Sequence, residues 1–185
     1  MVRIDKHYTF AGPGGEVTLR DLFAGSRRLV VQHFMFSPSW DAGCPSCSAA
    51  CDEISACLLA RLRDRDTSFA VISLAPISKI IKYKTWRGWD FSWYSSYGSE
   101  FNYDFHATLD RRIAPVSYDF EVPEEILAAG HANDLVDAQI PVEVPGISCF
   151  LLHDETVFHT YSACGQVTEK VSAVRDFLEL TASGG

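Results

Sequence analysis

Long apolar runs are missing from this sequence: none reaches the about 18 residues that a membrane-crossing helix needs. An excess of positive charge is missing too. The net charge is −8, which argues against a nucleic-acid or anionic-membrane partner, because both require a basic face. There is no low-complexity tract and no internal repeat, which excludes disordered linkers and solenoids. The opening residues, MVRIDKHYTF, lack the apolar core of a secretory signal, so a cytoplasmic location is expected. Also absent are a second CxxC and an HxxxH, the kind of second knuckle on which structural zinc sites usually rely.

What is present is ordinary globular material, 47% hydrophobic and 22% charged over 185 residues. A chain of this length buries roughly 70% of its unfolded surface, so its core needs no disulfide or metal. One domain, residues 1–185, accommodates it. Six cysteines then stand out. In a reducing compartment they are expected as thiols, which leaves redox catalysis or metal binding for a CxxC.

That CxxC is Cys44-Pro45-Ser46-Cys47, directly after the apolar run RRLVVQHFMF (27–36) and the loop SPSWDAG. The run is β-rich and almost unbroken, as a strand buried on both faces would be. From Pro45 to about Arg63, Cys47, Cys51, Ile54, Leu58 and Leu62 recur at helical steps. TSFAVISLA (67–75) reads as a second buried strand, so the unit is a right-handed parallel one. SKIIKYKTWRGW (78–89) reads as a helix with Ser78 available to cap it, and FSWYSS (91–96) as a third, shorter strand. GPGGEVTLRDLF (12–23) reads as a turn followed by a short strand or helical turn. A helix is expected near 123–137, a hairpin about HDET in GISCFLLHDETVFHTYS (146–162), and a closing helix over 166–180. This order predicts an α/β, thioredoxin-like three-layer fold. A central mixed sheet is flanked by helices, with an insertion at about 107–144 before the C-terminal hairpin.

A cysteine pair at i and i+3 in the first turn of a helix can close a disulfide after small adjustment. The unpaired amides and the positive dipole end of that turn stabilise a thiolate. Cys44, at the edge, is therefore the expected nucleophile, and Cys47, one turn further in, the more buried resolving thiol. Pro45 suits the first helical position, and Gly43 lets the backbone approach the sulfur.

Two other readings stay open. Cys44, Cys47 and Cys51 lie on one arc of a helical wheel and could hold a metal if a fourth ligand joined them. Cys57 points away from that arc and is expected to pack. A peroxiredoxin-like peroxidase uses the same plan, but its nucleophile follows P-x-x-x-[TS]-x-x-C. Here Pro38 stands six rather than seven residues before Cys44, and Asp41 occupies the hydroxyl position.

The segments VVQHFMFSPSWDAGCPSCSAACD, SWYSSYGSEFNYDF and VPGISCFLLHDETVFHTYS resemble the bacterial thioredoxin-like family called domain of unknown function 899, a group of predicted dithiol-disulfide oxidoreductases. The most specific piece is HFMF followed by GCPSCS, and the resemblance runs from YTFAGPGGEVTLRDLF to FLELT. The chain departs from the family at AAC after GCPSCS and at SACGQ after HTYS, so Cys51 and Cys164 receive no role from it. The resemblance implies thiol–disulfide exchange without a bound cofactor. The substrate would be a protein or small-molecule thiol or disulfide. It also implies that a proline, usually cis, faces the CxxC; Val144-Pro145 is the candidate and Pro141 the lesser one. There the backbone of Val144 would pair with an incoming substrate.

Further candidates follow from residue type. Trp40, four residues before Cys44, and Pro45, between the two cysteines, are expected to touch substrate. Residues 86–105 hold nine aromatics and could wall a pocket or form core. His33, His106 and His159 are candidate proton shuttles. Tyr103, Asp104 and Asp41 are candidate neighbours of the thiols. No buried acid on the central strand is apparent, which leaves the base for Cys47 unassigned. A non-catalytic module that binds a metal or a partner remains the rival class. The insertion and its aromatic neighbourhood could supply a homodimer interface.

Overall fold

The computed structural model describes residues 1–110, 112 and 141–164. The two apolar runs form the centre of an eight-stranded sheet. β4 (Arg28–His33) pairs in parallel with β5 (Thr67–Ser73), and β5 in parallel with β6 (Ser92–Ser95). The remaining ladders are antiparallel. β9 (Gly146–His153) lies beside β4 and turns at Asp154-Glu155 into β10 (Thr156–Cys164), which carries the two-residue β1 (Val2–Arg3) on its outer edge. At the other edge β2 (Thr9–Gly12) joins β6 and folds back as β3 (Gly15–Thr18). The order is β1-β10-β9-β4-β5-β6-β2-β3, an α/β mixed sheet with helices, as the element order predicts. A separate two-stranded ladder joins β7 (Thr108–Leu109) to β8 (Val142–Glu143).

Strand alternation divides the core into two layers. Val30, Phe34, Val71, Trp93, Ile147 and Cys149 face one side, with Cys47, Cys51, Leu58 and Leu62. Leu29, Val31, Ala70, Ile72 and Phe150 face the other, with Phe10, Phe101 and Phe105. The cysteine pair belongs to the first layer.

Several local expectations are corrected. The helix from Pro45 is two helices: α1 (Pro45–Asp52) and α2 (Ala56–Arg63). Ser55 accepts a hydrogen bond from the Leu58 N–H at 3.1 Å, and this side-chain bond starts a new helix where the periodicity alone shows no break. Leu58 and Leu62 still face the core, but Cys57 is exposed rather than packed. α3 (Ile77–Arg87) begins one residue before Ser78: the carbonyl of Pro76 accepts from Lys79 and Ile80, so Ser78 does not cap it. Gly88, with φ 72°, ends it in the left-handed conformation that glycine tolerates. The GPGG segment makes the β2–β3 turn, and its sequel supplies both a strand and a 3-10 turn (Asp21–Phe23). The expected helices near 123–137 and over 166–180, and most of the 107–144 insertion, lie outside the described residues. Among the described residues no helix is long and apolar enough to cross a membrane.

Candidate functional site

The loop after β4 returns Cys44 to the sheet end it left. The Cys44 N–H donates to the Met35 carbonyl at 3.0 Å, closing residues 36–43 into a loop. Gly43 is required there: a Cβ on it would lie 2.5 Å from Phe34 Cε1 and 3.1 Å from Tyr83 Cε1. Cys44 is the N-cap of α1 with Pro45 at the first helical position. Its carbonyl accepts from the Ser48 N–H (2.9 Å) and the Ser48 hydroxyl (2.8 Å). With that proton committed, the Tyr83 hydroxyl donates to Ser48 Oγ across 2.9 Å. α1 is thus bonded at its first turn to α3.

The two thiols are unlike. Cys44 is half-buried, and its Sγ lies 3.1 Å from the Ser46 hydroxyl. Its pKa is lowered to about 6: the Cys47 thiol is the main cause, with the Cys47 and Ser46 amides and the Ser46 hydroxyl adding to it against partial burial. Cys47 is 5% exposed, and its pKa moves the other way. Its bond to Cys44, burial and the charge on Cys44 all hold it in the protonated form. Burial also raises Cys51 and pushes Cys149 up to about 12. All six cysteines are free thiols. One ionised, accessible sulfur beside one protonated, sheltered sulfur is an arrangement for attack followed by resolution.

Other sequence candidates fall around or away from this pair. Trp40 is half-buried against the same core layer as Cys44. Pro45 and Asp41 are exposed next to it. Val144-Pro145 precedes Gly146, which pairs with His33 at the sheet end where the Cys44 loop begins. The bond is trans, as are all described peptide bonds, and the Val144 N–H is already donated to the Ala107 carbonyl at 2.8 Å.

His33 and His159 lie away from Cys44 and Cys47. His33 has the parity of Leu29 and Val31 and stacks on Phe101, so the sheet separates it from Cys44. It ends a chain in which His33 Nε2 meets Ser148 Oγ (2.8 Å), Ser148 meets Ser162 (2.7 Å), and Ser162 meets His159 Nε2 (2.7 Å). Burial lowers His33 to about 3, so it is neutral. Phe105 packs edge-on to His159, on that same side. α4 (Phe101–Asp104) carries Tyr103 and Asp104 there too, and Asp104 accepts from Lys6 and Tyr8. The aromatic stretch is likewise split: Trp89 and Trp93 lie against Phe34 on the thiol side, with Tyr83 of α3 beside them and Phe91 packed on both tryptophans, whereas Phe101 and Phe105 lie on the other.

Sequence reasoning missed Ser46, Ser48, Tyr83 and Lys79 around Cys44, and the buried acid Glu143. Glu143 accepts from Thr108 (2.6 Å) and Asn102 (3.4 Å), and burial outweighs both bonds, raising its carboxyl to about 8. The alternation in PVEVP was the available signal. Among the described residues no three of His, Cys, Asp and Glu are grouped to hold a metal ion, Cys44, Cys47 and Cys51 included.

The model of a family described as bacterial protein of unknown function (DUF899) matches residues 1–185. The chain belongs to this family. No curated protein matches the DUF899 chain at a significant level. Among solved structures it is similar to peroxidoxin BcpB of Mycobacterium tuberculosis, with TM-score 0.61 and 13% identity over 97% of this chain and 95% of that one. It is also similar to a peroxiredoxin Q of Xylella fastidiosa, with TM-score 0.56 and 10% identity over 93% and 88%. A Chlorobium tepidum protein described as a thiol:disulfide interchange protein of the DsbE type follows, with TM-score 0.52 and 12% identity over 95% and 93%. These likenesses show that the DUF899 chain has the thioredoxin-like fold.

Proposed function

We propose that this protein is a thiol–disulfide oxidoreductase in which Cys44 is the nucleophile and Cys47 the resolving thiol. The observation that carries the reading is the placement of two sulfurs in one helical turn, Cys44 half-buried at the N-cap beside the Ser46 hydroxyl and Cys47 5% exposed, which lowers the first to about 6 and raises the second. The Cys44 thiolate attacks a substrate disulfide, forming a mixed disulfide and releasing one substrate thiolate. Cys47 loses its proton and attacks Cys44 Sγ, forming the Cys44–Cys47 disulfide and releasing the second thiolate. Two electrons pass to the substrate, and an external dithiol restores the pair. Because the thiolate stabilises the reduced form, the disulfide should be more oxidising than one between ordinary cysteines. A reducing cytoplasm, where a dithiol is maintained, suits this cycle.

Expression of Cys47→Ser in cells tests it: a disulfide adduct on Cys44, identified by mass spectrometry and lost on reduction, is expected. Recovery of no adduct under oxidising conditions, together with no insulin-disulfide reduction by the wild type, overturns it. A second reading is favoured by the names of the similar folds, two of them a peroxiredoxin and a peroxidoxin. In it the Cys44 thiolate attacks a peroxide oxygen, giving a sulfenic acid and an alcohol or water, and Cys47 condenses with that acid to the disulfide. Peroxide consumption that exceeds disulfide reduction by the same preparation would select it.

A further inference from the structure

The loop that delivers Cys44 carries a contact that the redox reading leaves unused. Residues 36–43 leave the sheet after Phe34, whose N–H donates to Ile72 and whose carbonyl accepts from Ser73, and they return at the Cys44–Met35 bond. Inside, the loop has a turn from Trp40 N–H to the Ser37 carbonyl at 3.1 Å. The carbonyls of Pro38 and Trp40 converge on one atom, the ammonium nitrogen of Lys79, each at 2.8 Å. Lys79 lies in the first turn of α3, the helix whose Tyr83 holds Ser48 in α1. Two residues one turn apart on α3 therefore grip the two sides of Cys44, the loop before it and the helix after it.

A backbone carbonyl away from any strand must find a donor or water. Bonds from a charged donor are stronger and shorter than neutral ones. One ammonium shared by two carbonyls also fixes their separation, which a pair of water molecules would not. We propose that Lys79 is a positioning residue for the thiol pair: by binding Pro38 and Trp40 together it fixes the loop geometry that seats Cys44 at the N-cap of α1. This rests on Cys44 and Cys47 forming the reactive dithiol. The consequence is on the thiolate, because the Cys47 and Ser46 amides reach Cys44 only from that seat. With the clamp gone, the loop samples other arrangements, Cys44 spends time away from the helix end, and its averaged affinity for the proton rises.

The test is the pH dependence of iodoacetamide alkylation at Cys44 in the reduced protein, mapped by mass spectrometry, for wild type, Lys79→Met and Lys79→Arg. Lys79→Met is expected to move the midpoint upward, and a shift of one unit lowers the rate at pH 5.5 about eightfold. Lys79→Arg, which retains a charged multiple donor, returns it toward the wild-type profile. Should Lys79→Met fail to fold, Lys79→Gln, uncharged but still a donor, is expected to give a smaller upward shift. The proposal is overturned if the methionine or glutamine variant shows a wild-type profile while its thermal midpoint falls, since Lys79 is then structural only. It is also overturned if arginine behaves like methionine. A wild-type midpoint near that of an ordinary cysteine is a different failure: it defeats the dithiol reading itself, whatever Lys79 does.

Discussion

Ser46 places its hydroxyl 3.1 Å from the sulfur of Cys44, inside the same CxxC and on the same turn. The intervening residues of the motif are therefore not spacers. Pro45 presets the turn without wasting a donor, and Ser46 supplies one more group that lowers the thiol, behind Cys47 and the burial that opposes it. A hydrogen bond to a charged group contributes about 1.5–3 kcal/mol when its partner is desolvated, and less when half-exposed. Ser46→Ala is expected to raise the alkylation midpoint of Cys44 by up to about one unit, with a linked loss of stability above that midpoint of no more than about 1.4 kcal/mol. An unchanged midpoint would show that water replaces the hydroxyl.

The order of reactivity of the two sulfurs is a separate prediction. In reduced wild type, alkylation near pH 6.5 should label Cys44 and spare Cys47, because about 6 is the folded value of the first and the second is held protonated and buried. The Cys44 thiolate also links to stability. Its folded pKa lies below the unfolded value of about 8.5, so the unfolded chain binds more protons between those values. Stabilisation by this group is thus fully present above the unfolded value and is lost as pH falls through about 6. Cys44→Ser should flatten that part of the stability profile, as measured by denaturant midpoints in reductant. Labelling of Cys47 before Cys44 would reverse the roles assigned here.

Gly43 offers a steric test. An added Cβ would meet Phe34 at 2.5 and 2.8 Å and Tyr83 at 3.1 Å. Phe34 is 1% exposed and wedged among Trp89, Trp93 and Tyr83, so neither ring can step aside freely. Gly43→Ala is expected to cost about 1–3 kcal/mol, the usual range for overpacking. It should also raise the Cys44 midpoint, because the displaced residue is its immediate neighbour. A variant with wild-type stability would mean that the rings repack.

Much of this architecture was legible in the residues, for reasons that also explain where reading stopped. LVV and FAVIS announce buried strands because β-branched runs have few other homes. HDET announces the hairpin because two apolar runs flank a polar turn. Cys44 at a helix edge follows from the proline behind it. Ser55 could not be read as a break, since Leu58 and Leu62 keep helical phase across it. Lys79 left no trace because its partners are carbonyls, which every residue has. His33 is a shuttle candidate by residue type alone; strand parity places it on the face opposite Cys44, and parity becomes a face only once the partner layers are known. His159→Asn should accordingly leave the Cys44 profile unchanged.

Glu143 provides the pH test that is independent of the cysteines. Its carboxyl is buried and raised to about 8, whereas in an unfolded chain a glutamate titrates near about 4.3. Between those values the folded protein holds a proton that the unfolded chain has released, so stability falls as pH rises. The penalty is absent below the unfolded value and complete above the folded one, where a charge must sit in the core between Thr108 and Asn102. Its size is on the order of a few kcal/mol. Glu143→Gln keeps the shape and an acceptor for Thr108 but carries no charge. Thermal midpoints of variant and wild type should therefore coincide near pH 4.5 and diverge as pH rises, with the variant higher at pH 8.5. Because the cysteines are common to both proteins, their titration cancels in the difference. Curves that stay parallel across this range would mean that Glu143 is solvated or paired when ionised, and that its burial does not oppose its charge.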